Sequence, residues 1–160
     1  MQQSFFFLQQ SIIKPIEQLF SKKISDLRLI INKLNSSIIR NLSRLDKENR
    51  ISDGLDLVLF KVIPNEYKIE ISGINRPFIH YDAKTQTHHY HKLKGLSIGN
   101  HYKSIDEIPL VTFTYSENDY FYFFTDGITD QFGGPNGKKL MKKGLLEFLD
   151  KISAMPPLKR

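Results

Sequence analysis

The 160-residue sequence contains no cysteine, which excludes a disulfide framework, thiolate metal sites and a thiol nucleophile, and fits a reducing compartment. Long apolar runs are also missing. The most apolar opening, "SFFFLQQSII" from Ser4 to Ile13, is too short and too interrupted to span a bilayer, and it lacks the basic start and small-residue cleavage site of a signal peptide. The chain is therefore expected to be cytoplasmic, with no membrane partner. No internal repeat or low-complexity stretch occurs, and no basic run exceeds the pairs Lys22-Lys23, Lys138-Lys139 and Lys142-Lys143. The formal charge of +6, from 23 Lys and Arg against 17 Asp and Glu, favours an acidic or phosphorylated partner. Its scatter predicts no nucleic-acid binding.

What is present is the composition of a folded protein, with 40% hydrophobic and 25% charged residues in a length that suits one domain over residues 1–160. Ser4 to about Phe20 has helical apolar spacing, with Phe5, Leu8, Ile12, Ile16 and Leu19 three or four apart. Pro15 predicts a kink or a break there. From Ser25, read as an N-cap, a second helix carries Leu27, Ile30, Ile31, Leu34, Ile38, Leu42 and Leu45 on one face and stops by about Lys47. The period then changes to that of strands. "LDLVLFKVI" and "YKIEISGI" around "PNE" predict one antiparallel hairpin, and "RPFIHYD" and "THHYHKL" around "AKTQ" a second. "IPLVTFTY" and "YFYFFT" add two strands, the latter so apolar that burial on both faces is expected. "GKKLMKKGLLEFLDKI" closes the chain as a helix in which Gly144 costs about 1 kcal/mol relative to Ala. Two helices, about six antiparallel strands and a helix read as α+β.

The stretch "FYFFTDGITDQFGG", Phe121 to Gly134, concentrates the candidate chemistry. An aromatic strand cannot hold an unpaired ionised carboxylate in a buried middle, but it can present one at its end. Asp126 stands there, Gly127 permits a sharp turn, and Asp130 follows one turn later. Such carboxylates suit hard cations such as Mg²⁺ and Mn²⁺; the competing reading is that Asp-Gly simply starts a β-turn. His88, His89 and His91 lie in one strand, His89 and His91 on the same face, and without further ligands they read as a hairpin rich in His rather than a zinc site. Asp53 and Asp56 read as turn and strand-start residues. "GGPNGKK" lacks the spacing of a phosphate-binding P-loop, and no Ser–His–Asp arrangement follows from spacing.

"YFYFFTDGITDQFGGPNGKKL" resembles the "strand-SDG-x-x-[DE]" segment of the SpoIIE-type branch of the metal-dependent PPM serine/threonine phosphatases. In the family's order, "ISDGLDLVLFKVI" resembles its "DGMD-x-A-L" strand, "IEISGINRPFIHY" its "F-A-G-A-N-x-P" hairpin and "KLKGLSIG" its "K-G-x-x-x-P-I-G" segment. The resemblance implies an antiparallel β-sandwich with flanking helices and a Mn²⁺ or Mg²⁺ centre that activates water for attack on phosphorus. By position it implies that Asp126 and Gly127 form a metal-binding motif, with Asp130 as a possible addition. It further implies a phosphorylated STAS-like anti-sigma-factor antagonist as substrate. The family's "D-x-T-G-H-G" loop and closing "DD-x-T" pair do not occur in this sequence. The expectation is thus a domain incomplete at both ends: a phosphatase active alone or after completion by a complementary fragment or dimer, or else a catalytically incomplete phosphatase-like binding module or truncated remnant.

Overall fold

The computed structural model describes residues 13–22, 24–45, 55–95, 97–99, 104–133 and 137–155. In chain order the elements are α1 (Lys14–Ser21), α2 (Leu27–Leu45), β1 (Leu57–Ile63), β2 (Lys68–Ile74), β3 (Pro77–Asp82), β4 (Thr87–Lys92), β5 (Leu110–Thr114), β6 (Tyr120–Phe123), α3 (Asp126–Thr129), β7 (Phe132–Gly133), β8 (Lys138–Lys139) and α4 (Met141–Ser153). They fall into two units. The first takes the described residues up to Arg76 together with Leu93–Thr114; the second takes Pro77–Lys92 and the described residues from Tyr115 onward.

In the first unit Pro15 is the second residue of α1. Ile13, just before α1, is in a π-helical turn, so the helical backbone changes its winding next to Pro15. Residues 4–12 of the expected first helix lie outside the described residues. The N-cap of α2 is Asp26, not Ser25: its Oδ1 accepts from the Leu29 N–H at 2.9 Å, which satisfies the third helical amide and sets a negative charge at the positive end of the helix. Leu27, Ile30, Ile31, Leu34 and Ile38 are buried on one face as their spacing requires. Leu42 and Leu45, assigned to the same face, have side chains outside the described set.

That face divides its contacts. Leu27, Ile30 and Leu34 pack with Leu19 of α1, while Ile31 and Ile38 pack with Ile74, Ile98 and Ile108. The partner sheet has the order β1-β2-β5, antiparallel throughout, with Leu57 opposite Ile74 and Ile63 opposite Lys68 in the expected hairpin. A single 3₁₀ turn, Pro64–Glu66, joins β1 and β2 and closes on Tyr67, whose φ of 49° is left-handed. Ile69 and Ile71 are buried as their alternation demands, whereas Tyr67 stays exposed on the turn. Central in the sheet, β2 also buries Ser72, whose Oγ donates to the Pro109 carbonyl at 2.6 Å and so satisfies its hydroxyl in the core. Next to it, Gly73 lies opposite Val58, where the backbones run so close that no side chain fits.

The second unit has its own sheet, ordered β4-β3-β6, in which the expected "AKTQ" hairpin pairs Pro77 with Lys92 and Asp82 with Thr87. The central strand β3 holds the fully buried Phe78 and Ile79. Against one face, Leu145 and Leu149 of α4 close over Ile79, with Tyr90, Tyr122, Phe124, Leu140 and Leu146 around them. The burial expected on both faces of β6 is not found: Tyr120 is 54% exposed and Phe121, Tyr122 and Phe123 are only partly buried. Among the described residues the strand lies at the edge of its sheet with β3 as its one neighbour, and Phe121 stacks on His80 of that strand. The expected start of the last helix is also revised, since Lys138–Lys139 form a short ribbon with Phe132–Gly133 and the helix begins only at Met141.

Candidate functional site

The backbone leaves β6 at Phe123 and turns at once into the one-turn helix α3, with Asp126 as its first residue and Thr125, in an extended conformation, as its cap. The turn is closed by its own hydrogen bonds. The Asp130 N–H donates to the Asp126 carbonyl at 2.9 Å, Thr129 Oγ1 donates to the same carbonyl at 2.9 Å, and Gln131 Nε2 donates to the Gly127 carbonyl at 3.1 Å. Asp126, Gly127, Ile128 and Asp130 are exposed. The expectation of an acidic residue delivered by the end of the aromatic strand into solvent therefore matches its placement.

Gly127, expected to permit a sharp turn, adopts no conformation that only glycine can. Its φ is not positive, and a Cβ at this position would meet only Thr125 Oγ1, at 3.4 Å. Any residue fits the fold there, and the space beside the Gly127 backbone is open. Asp130 is engaged elsewhere: its Oδ1 is 3.3 Å from Lys139 Nζ, across the ribbon that follows. Lys139 also sits over the Phe132 ring, 5.6 Å from its centroid.

Mn²⁺ or Mg²⁺ prefers oxygen ligands and is commonly held by one or two carboxylates, waters and phosphate oxygens. Asp126 fits that description as one ligand. Among the described residues no group of three or more His, Asp or Glu side chains is placed to hold a metal ion. Among the described residues the set fits a single carboxylate contact and not a complete two-metal centre.

The remaining candidates have structural partners. Asp53 lies outside the described residues. Asp56, just before β1, accepts from Ser97 Oγ at 2.7 Å and from Asn75 Nδ2 at 3.4 Å, tying the start of β1 to the left-handed Asn75 and to the Leu55–Ile98 bridge. This is the strand-start role expected of it. His89 and His91 share a face of the second sheet with His80. His80 stacks on Phe121 with centroids 4.5 Å apart, and His91 stacks on Phe78 at 4.8 Å. Burial, followed by the neighbouring His80 and His89, lowers the His91 pKa below the ordinary histidine value.

Two polar arrangements escaped sequence reasoning. Asp119, only 5% exposed, accepts from the Ala83 and Ser116 N–H groups at 2.9 and 3.0 Å and from His80 Nε2 at 3.2 Å. Burial raises its pKa, but the two backbone donors and His80 outweigh that, and the carboxyl is held below its usual range. The second is Asp150–His88–Ser153: Asp150 Oδ1 accepts from His88 Nδ1 at 2.5 Å, and Ser153 Oγ lies 3.4 Å from His88 Nε2. The connectivity is that of a hydrolytic triad, but the Ser153 contact is at the outer limit of a hydrogen bond and the same hydroxyl engages Tyr122. With the His88 side chain 2% exposed, the group works as a polar clamp of α4 on β4. The only sequence signal for either arrangement is a polar residue at a strand end or on an otherwise apolar helix face.

Compared with solved structures, the chain matches the "SiaA-PP2C domain of Pseudomonas aeruginosa" with a TM-score of 0.72 at 15% identity, over 94% of this chain and 56% of that one. It also matches RsbX, solved in complex with magnesium, with a TM-score of 0.55 at 15% identity, over 93% of this chain and 68% of that one. The mixed helical and antiparallel architecture is thus that of PP2C-type phosphatase domains, and the chain spans a little over half of the SiaA domain's length. No curated protein matches it. The family model for Stage II sporulation protein E (SpoIIE) matches residues 11–159, and the chain belongs to that family of PPM-type phosphatases. Among the described residues no helix is long and apolar enough to cross a membrane.

Proposed function

We propose that the chain is part of a cytoplasmic, metal-dependent serine/threonine protein phosphatase of SpoIIE type. It acts on the phosphoserine of a STAS-like anti-sigma-factor antagonist, in the regulation of a sigma factor. The observation that carries the reading is the placement of Asp126 and Gly127: an acidic residue set in solvent by the end of β6, beside a backbone whose glycine leaves open space, in a chain of this family. In this reading Asp126 is one carboxylate ligand of Mn²⁺ or Mg²⁺, and Gly127 lets the backbone be approached closely. Asp130 is an additional acidic residue held in reserve by Lys139. Asp126 would be one of the residues that hold such a metal, which would supply water activation and charge neutralisation at phosphorus once the remaining ligands were in place.

A second reading is favoured by one specific observation, the lack of a convergent acidic cluster among the described residues. It takes the chain as a phosphatase-like module that binds a phosphoprotein or a complementary phosphatase fragment, or dimerises, without turning over alone. Calorimetric titration of Mn²⁺ into the chain and its Asp126→Ala variant, with phosphoserine-peptide hydrolysis followed in parallel, separates the two. Metal binding and turnover that both vanish in the variant support the enzyme. Turnover that survives in the variant eliminates the role given to Asp126, and a folded chain with neither binding nor turnover leaves the binding module.

A further inference from the structure

The strongest charge feature lies in the first unit, far in sequence from Asp126. α1 and α2 enclose an open cleft of about 370 Å³ whose lining includes Lys14, Lys22, Lys33 and Arg40, with Gln18 and Asn41 between them. Among the described residues none of the lining side chains is acidic. The four cationic side chains are exposed, and none is paired with a carboxylate among the described residues. Four like charges around one cleft repel each other and concentrate a positive potential inside it, an arrangement that a bound anion relieves.

The spacing states what kind of anion fits. Lys14, Gln18 and Lys22 recur every fourth residue along one side of α1, and at the helical rise Lys14 and Lys22 stand about 12 Å apart. Lys33 and Arg40 extend about 10 Å along α2. A lone phosphate bonds donors within about 3 Å and reaches only part of such a row. An extended peptide sends alternate side chains to the same side about 7 Å apart, so three acidic residues at alternate positions cover about 13 Å, the length of the cleft. A nucleic-acid strand has comparable charge spacing, but single strands are held by stacking on aromatic rings as well as by charge, and among the described residues no aromatic side chain lines this cleft.

We propose that the cleft between α1 and α2 is a docking site for an extended acidic segment of a partner protein, with carboxylates on alternate residues. Gln18 supplies an uncharged hydrogen-bonding group for the peptide backbone, and the four cations engage its acidic side chains. The inference does not depend on turnover, so it stands or falls separately from the phosphatase reading.

The test is fluorescence anisotropy with the whole chain and a labelled peptide carrying Glu at alternate positions. A Gln-substituted peptide, a single-stranded oligonucleotide and anionic phosphatidylglycerol vesicles serve as competing probes. The expected result is saturable binding of the Glu peptide that weakens with added salt and is absent for the Gln peptide. It should fall at least about tenfold in Lys33→Glu/Arg40→Glu and in Lys14→Glu/Lys22→Glu, since each reversal replaces an attraction by a repulsion. Lys84→Glu, on the β3–β4 turn, should bind as the parent does, and circular dichroism confirms that each variant is folded. Equal binding by the reversed and parent chains overturns the proposal, as does equal binding of the Gln peptide. Reversal-sensitive binding of the oligonucleotide or the vesicles, with none of the Glu peptide, overturns it in favour of that ligand.

Discussion

Replacing Gly73 by Ala is the most exacting single test of the first sheet. A Cβ at this position would lie 2.4 Å from the Leu57 carbonyl oxygen and 2.8 Å from Val58 Cα, against ordinary contacts beyond 3.4 Å, with Leu93 Cδ1 a further 3.2 Å away. The leucine methyl can rotate aside. The two backbone atoms cannot, because β1 and β2 are held in register from Leu57–Ile74 to Ile63–Lys68 and relief of the clash means parting the strands by about an ångström. Overpacking costs about 1–3 kcal/mol, and contacts to paired backbone place this case at the upper end. Against it stands a gain of about 0.5–1 kcal/mol from restricting the unfolded chain. The net expectation is a loss of about 2 kcal/mol. Urea unfolding followed by circular dichroism should show the midpoint falling by about 1 M, for a slope of about 2 kcal/mol per molar. Gly133→Ala, where a Cβ meets nothing within 4 Å, should stay within about 0.5 kcal/mol of the parent. An unchanged midpoint for Gly73→Ala refutes the close approach of the two strands.

Two further outcomes follow from the second unit. Asp119→Asn leaves the Ala83 and Ser116 amides and His80 with a poorer acceptor and should cost about 1–3 kcal/mol at neutral pH. Because the Asp119 carboxyl is held below its unfolded value, its stabilisation is present above that value and lost as pH falls through the folded one. Urea midpoints of parent and variant should accordingly converge below about pH 4, and a gap that persists or widens in acid contradicts the assignment. Gly144→Ala removes a helix-interior glycine from α4, and the new methyl meets only the movable end of Leu140, with Cδ1 at 2.9 Å. Thermal melting should show a gain of less than about 1 kcal/mol, while a loss would mean that Leu140 is locked in place.

Much of this fold was legible in the sequence because its signals are local. The alternation of Ile69 and Ile71, the "PNE" and "AKTQ" turns and the helical face from Leu27 to Ile38 each state their own structure within a few residues. The α2 cap was misplaced by one residue because Ser25 and Asp26 are both competent caps, and only the reach of the Asp26 carboxylate to the Leu29 amide chooses between them. The burial of β6 was misjudged because an edge strand and a central strand share an apolar composition, and position in a sheet is not local information. At the candidate site, the exposure of Asp126 was legible from the end of the aromatic run. The Lys139 partner of Asp130 was not, since it depends on a two-residue ribbon hidden in a glycine-rich stretch. Asp119 was marked in the sequence only as a polar residue at a strand end, as its acceptor role is made by three groups brought in from the β3–β4 hairpin and its own turn.

The chain passes between the two units at Arg76–Pro77, Lys92–Leu93 and Thr114–Tyr115. During synthesis, β1 and β2 leave the ribosome as a finished hairpin, yet the strand that covers the open side of β2 comes only after the whole β3–β4 hairpin has been made. Until Thr114 has emerged, β2 presents an unpaired row of amides and carbonyls next to its buried isoleucines. Such an unpaired edge favours association between nascent chains, and slowing translation just after residue 92 would prolong its exposure.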